Sequence, residues 1–83
     1  MKELIGKITH YYGNIQVAVV ELSGKLKVGD TVSIEKDGQG FEQQVASMQI
    51  EHKQVKEAKK GQAIGMKVMQ EVKPGFQVFK VTE

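Results

Sequence analysis

Gly24-Lys25-Leu26-Lys27-Val28-Gly29-Asp30-Thr31-Val32-Ser33-Ile34 is the stretch on which the reading of the chain turns. It reads as a tight turn followed by a half-buried strand. Gly29 can supply the positive φ that such a turn needs, because it has no Cβ to clash. Asp30 is placed to accept a hydrogen bond from a backbone N–H two residues on and so lock the turn. Val32 and Ile34 alternate with Thr31, Ser33 and Glu35, the period of a strand. The same grammar, Lys-x-Gly-x-x-(Val or Ile), returns in Lys59-Lys60-Gly61-Gln62-Ala63-Ile64 and in Lys73-Pro74-Gly75-Phe76-Gln77-Val78. These turns serve folding, and the other strands hang on them.

Outward from this stretch, strands are expected at 3–11, 15–22, 31–36, 41–51, 63–69 and 76–81. Gly6 inside the first suggests a bulge or a close backbone approach. Tyr12-Gly13-Asn14 reads as a hairpin loop, with Gly13 and Asn14 tolerant of positive φ. Ala18, Val20 and Leu22 point inward in the second strand, and Leu26 and Val28 plug one mouth. Asp37-Gly38 is a hairpin signal. Phe41, Gln43 and Val45 share one parity, while Met48 and Ile50 share the other. A β-bulge near Ala46-Ser47 would reconcile them. Val55 and Ala58, three apart, suggest one helical or irregular turn within 52–60. Ile64, Met66 and Val68 form one face, and Val78, Phe79 and Val81 are core candidates. Six short strands between glycine turns predict an all-β fold, a small closed six-stranded barrel, because closure removes exposed edges.

The totals narrow the function. Eighty-three residues make one domain, 1–83, with a modest core and little room for a deep catalytic cleft. The net charge is +2, and all 12 basic residues are lysines. Without arginine, bidentate reading of bases or phosphates is disfavoured. The chain has no Cys, which excludes disulfides and zinc–thiolate sites. No apolar run reaches membrane-spanning length and no signal-peptide core follows Met1, so a cytoplasmic location and no membrane contact are expected.

The residues also carry a family resemblance. It runs from Gly6-x-Ile8 through Val17-Ala18-Val19-Val20-Glu21-Leu22 to Gly24-x-Leu26-x-Val28-Gly29-Asp30-x-Val32-x-Ile34. It continues with Phe41, Val45-x-Ser47-Met48-Gln49 and Val55-x-x-Ala58-x-x-Gly61. It ends in Lys73-x-Gly75-x-x-Val78-Phe79-Lys80-Val81. From about residue 4 to residue 81, the chain resembles the second domain of translational GTPases such as elongation factor Tu and initiation factor 2. The resemblance implies a Greek-key barrel of the translation-protein type and a role at RNA or the ribosome surface. No phosphate-binding Gly-x-x-x-x-Gly-Lys-(Ser/Thr) is present, so neither GTP hydrolysis nor a nucleotide cofactor is expected. Phe76 stands where the family usually has Asp. Similar lone barrels also occur appended to proteins outside translation, one group of peptidases among them.

No catalytic constellation emerges, and the chain is expected not to be an enzyme and to need no cofactor. Ser23, Ser33 and Ser47 lack a recognisable base motif. His10 and His52, with Glu51 or Glu3, lack tight ligand spacing, so no metal site is expected. The candidate partner-binding residues are His10, Tyr11 and Tyr12, which can stack on bases, and Lys53, Lys56, Lys59 and Lys60, which can form a positive patch. Weak backbone contact with RNA or the ribosome is the first expectation. The alternative is a protein-interaction or accessory module that reuses the barrel with no role in translation.

Overall fold

The computed structural model describes residues 2–51 and 53–82. The described chain is all-β, with no helix. The strands are β1 Lys2–Tyr12, β2 Val17–Leu22, β3 Leu26–Lys27, β4 Thr31–Lys36 and β5 Gln39–Gln44. They continue with β6 Met48–Ile50, β7 Lys53–Val55, β8 Glu57–Ala58, β9 Ala63–Lys67 and β10 Gln77–Val81. Eight of them form one sheet in the order β5-β4-β10-β1-β2-β9-β6-β7, and β3 pairs with β8. Every ladder is antiparallel.

The three Lys-x-Gly turns are three copies of one device. Gly29, Gly61 and Gly75 have φ of 96°, 90° and 101°. In each, the N–H after the glycine donates back to the lysine carbonyl: Asp30 to Lys27 at 3.1 Å, Gln62 to Lys59 at 3.2 Å, Phe76 to Lys73 at 3.3 Å. That closure with positive φ at the third position is a type II turn, in which glycine avoids the Cβ clash. Each turn is also clamped to a residue distant in sequence. The Gly29, Gly61 and Gly75 N–H groups donate to the carbonyls of Val45, Leu22 and Ile8 at 2.9, 3.0 and 2.9 Å. The same three residues donate back to the carbonyls of Asp30, Gln62 and Phe76 at 2.9, 2.9 and 2.8 Å. Their side chains are all buried in the core. One sequence pattern thus fixes a local turn, a long-range pairing and a core position together. The Asp30 lock differs from expectation in its donor: its Oδ2 accepts from the Lys27 N–H, 3.0 Å away.

The core follows the expected parities. Ala18, Val20 and Leu22 of β2, Val32 and Ile34 of β4, and Ile64 and Met66 of β9, with Val68 just after it, are buried. Gly6 sits at a register shift between Leu4 and Gly6, where a Cβ would lie 2.8 Å from Val20 Cγ1 and 2.9 Å from the Glu21 carbonyl. Leu26 is buried as expected, but Val28 is 41% exposed, so only one of the two plugs the mouth. The first hairpin places its positive φ on Gln16 rather than on Gly13 or Asn14.

Two expectations change shape in the second half. The stretch 41–51 is not one bulged strand but two. β5 pairs with β4, β6 pairs with β9, and residues 45–47 carry the chain between them. The phase slip is real, since Val45 and Met48 are both buried, but it is absorbed by a break. The described residues 53–60 hold no helical turn: β7 and β8 occupy most of them. The three-residue spacing of Val55 and Ala58 arises because Lys56 separates two short strands belonging to different sheets.

Among the described residues the expected six strands are therefore ten, and the large sheet has β5 at one end and β7 at the other, with no ladder joining them. The β5 end is nonetheless tied down. Gln43 is buried, its Nε2 donates to the Lys67 carbonyl at 2.9 Å, and its Oε1 accepts the Met69 N–H at 2.9 Å. A side-chain amide here does for the end of β9 what a neighbouring strand would do.

Candidate functional site

The predicted site residues fall into three places. His10, Tyr11 and Tyr12 end β1, where a register shift lies between Ile8 and His10. His10 and Tyr12, two apart, share a face, and their rings meet edge-on with centroids 4.3 Å apart. Tyr11 alternates to the other side and packs against the core. Beyond them Tyr12 is 50% exposed and Ile15 60%. Met69, 76% exposed, follows Val68, whose N–H donates to the Gln16 carbonyl at 2.9 Å. Sequence reading did not single out Ile15 or Met69. Ile15 lies in the hairpin loop, its N–H donating to the Tyr12 carbonyl at 3.3 Å, while the Met69 segment is brought to the hairpin by the β2–β9 pairing and the Val68–Gln16 bond, which no local pattern announces.

The lysines separate into two groups. Lys59 and Lys60 lie in the second turn, clamped to Leu22. Leu22 is the far end of β2 from Val17, which pairs with Tyr12. At the rise of a strand, that is roughly 17 Å from the hairpin. Lys53 lies in β7, and Lys56 follows it, its carbonyl accepting the Val28 N–H at 2.8 Å. No continuous basic stripe forms, because acids interleave: Glu57 reaches Lys25 at 3.7 Å, and Lys7 pairs in register with Glu21. The stacking rings and the lysine candidates are thus at different places.

Beside Lys56 a groove of about 320 Å³ opens between Val28 and the β6–β7 hairpin, with Ala46, Met48, Gln54 and Val55 along it. It was not anticipated. The signal that could have found it is Val28, an apolar residue inside a turn that the core does not absorb.

Elsewhere, Glu35 accepts hydrogen bonds from the Lys2 ammonium and the Ser33 hydroxyl. The Lys2 bond first, and the Ser33 bond next, hold its carboxyl below the ordinary carboxylate range. Among the described residues no group of three or more His, Cys, Asp or Glu is arranged to hold a metal. His52, weighed as a ligand with His10, lies outside the described residues. No helix of the described chain is long and apolar enough to cross a membrane.

Comparison with known proteins redirects the functional reading. No protein-family model matches the chain. It is 41% identical over 80 residues to an uncharacterized protease of Methanocaldococcus jannaschii, a match covering 95% of this chain. The chain spans only 20% of that protein's length. Among solved structures it superposes on the C-terminal domain of a Geobacillus thermoleovorans protein classed with the U32 peptidases, with a TM-score of 0.89 at 20% identity, over 96% of this chain and 93% of that one. The selenomethionine variant of that domain gives a TM-score of 0.84 at 20% identity, over 95% and 99% of the two chains.

These matches correct the assignment to the translational GTPases, and with it the role at RNA or the ribosome. The physical reason is that Leu-x-Val-Gly-Asp-x-Val-x-Ile encodes a clamped turn and an inward-facing strand. That device builds a fold and carries no function of its own. The expectation that the chain is not an enzyme is corrected too, since the matched relative is named an uncharacterized protease, of which this chain spans one fifth. A search for catalytic motifs within 83 residues could not see this, because the match is to one fifth of a longer protein.

Proposed function

We propose that this chain is an accessory module of a U32-type peptidase, a small β-domain that works beside the peptidase body. The observation that carries this reading is the alignment of nearly the whole chain with one fifth of a protease. The superposition on a domain from a protein classed with the U32 peptidases supports it through the fold. In this reading residues 1–83 act as a single domain. They form a closed Greek-key barrel, with the Gln43 bridge reaching across the seam that the ladders leave. The absence of Cys supports a cytoplasmic setting, since small secreted domains usually carry disulfides. The exposed end formed by Tyr12, Ile15 and Met69 is the surface that best suits packing against the body.

A domain exchange tests this reading. In the M. jannaschii protease, the matched stretch is replaced by this chain, and separately deleted. The exchange is expected to unfold cooperatively like the parent and to keep the parent's activity, while the deletion loses stability or activity. An exchange that behaves like the deletion contradicts the reading.

A further inference from the structure

We propose that the outer edge of β7, with the groove beside it, takes up an extended acidic peptide as an added strand. An apolar side chain of that peptide would sit against Val28 and Val55. This rests on the accessory-module reading and adds to it a ligand class.

The geometry comes from a ladder that stops short. β3 runs antiparallel to β8, with Leu26 opposite Ala58 and Lys27 opposite Glu57. The pairing goes one bond further, through the Val28 N–H to the Lys56 carbonyl. The chain then turns away at Gly29. The strand on the other side continues as β7, which pairs with β6 and has no further ladder among the described residues. Only two residues separate Ile50 from Lys53, and these two are opposite each other in register. Residues flanking a two-residue connection form a hydrogen-bonded pair, so alternation turns the N–H and C=O of Gln54 outward. An incoming strand would find a donor and an acceptor there and continue the interrupted β3 ladder. The groove of about 320 Å³ lies at the point of interruption and offers Val28 and Val55 to one side chain.

Charge selects the occupant. Lys53 and Lys56 flank the edge, and Lys27 precedes Val28. Two of the neighbouring acids are already engaged: Glu57 with Lys25 at 3.7 Å and Asp30 with Lys80 at 3.5 Å. A second copy of this chain would bring its own lysines to the same edge and be repelled. An acidic segment meets complementary charge.

The test is a titration of the isotope-labelled 83-residue chain with acetyl-Glu-Asp-Val-Leu-Glu-Asp-amide, followed by amide chemical shifts. The expected result is saturable shifts at Val28, Gln54 and Val55, with affinity about tenfold weaker in the Lys53→Glu/Lys56→Glu variant. The same peptide with lysine at its acidic positions is expected to leave these amides unmoved. Silence at the three residues with the acidic peptide, an equal response to both peptides, or shifts centred on Tyr12 and Ile15 would each overturn the proposal. Failure here leaves the domain exchange unaffected, and failure of the exchange leaves this titration unaffected, so the two readings fall separately.

Discussion

The two ends of the large sheet are built in opposite ways. At β5, the inward-facing Gln43 reaches across and satisfies the Lys67 carbonyl and the Met69 N–H. At β7, no described strand or side chain takes that place, and lysines stand along the edge. Both are edges with free backbone groups, and such edges invite unwanted pairing unless managed. The β5 end is tied by a buried side-chain amide to the end of β9, while the β7 edge is guarded by charge. The tie makes the β5 end structural. Charge leaves the β7 edge open to a partner of the right sign.

The largest effect is expected where the β5 tie is broken. Gln43→Ala removes the part-buried partner of both the Lys67 carbonyl and the Met69 N–H, and should cost about 1–3 kcal/mol, read by chemical denaturation. The corresponding change at the open edge, Lys56→Gln, should leave stability within about 0.5 kcal/mol. Equal costs at the two ends would erase the distinction between them.

A second comparison sharpens the first, because one of the clamped turns anchors the β5 end through Val45. That turn and the second are locked by a side chain: Asp30 Oδ2 accepts the Lys27 N–H at 3.0 Å, and Gln62 Oε1 accepts the Lys59 N–H at 2.7 Å. The third has Phe76 at that place and relies on Pro74, which pre-sets φ. Asp30 also pairs with Lys80. Thermal unfolding should therefore rank Asp30→Ala first, at about 1–2 kcal/mol, then Gln62→Ala at about 1. Pro74→Ala should cost about 0.4–1 kcal/mol, through the greater freedom of the unfolded chain.

The smallest effect is electrostatic. The Lys2 and Ser33 bonds lower the Glu35 pKa in the folded chain. A lowered folded value means that the folded state holds its proton less tightly than the unfolded state. The contribution is complete above the ordinary carboxylate range and is lost as pH falls through the folded value. Lys2→Met should flatten the acid limb of the stability–pH curve slightly. An unchanged limb would mean that the exposed pair adds nothing.

What the sequence made legible follows from how local each cause is. The glycine turns are legible because positive φ demands a particular residue at one position, and Gly29, Gly61 and Gly75 all meet that demand. Inward parities in β2, β4 and β9 are legible because strands alternate. Gln43 shared its parity with Val45, so a polar residue on the buried face was visible. Its partners, 24 and 26 residues away, were not. The break at 45–47 hid behind an apparent bulge, and the two strands around Lys56 mimicked a helical spacing. The groove needed Val28 and Val55 brought together by the Val28–Lys56 bond, a contact between distant segments. The resemblance to the translational GTPases misled for a related reason: the clamped-turn motif reports how the chain folds, while the similarity to an uncharacterized protease runs along nearly the whole chain.

Native-state hydrogen exchange, residue by residue, tests the contrast between the two edges most directly. The Met69 amide, held by Gln43, should exchange slowly, near the global unfolding limit. The Gln54 amide should exchange fast in the free chain and slow down when the acidic peptide is added. Comparable protection of Gln54 and Met69 in the free chain would contradict the account, because it would mean that the β7 edge is closed.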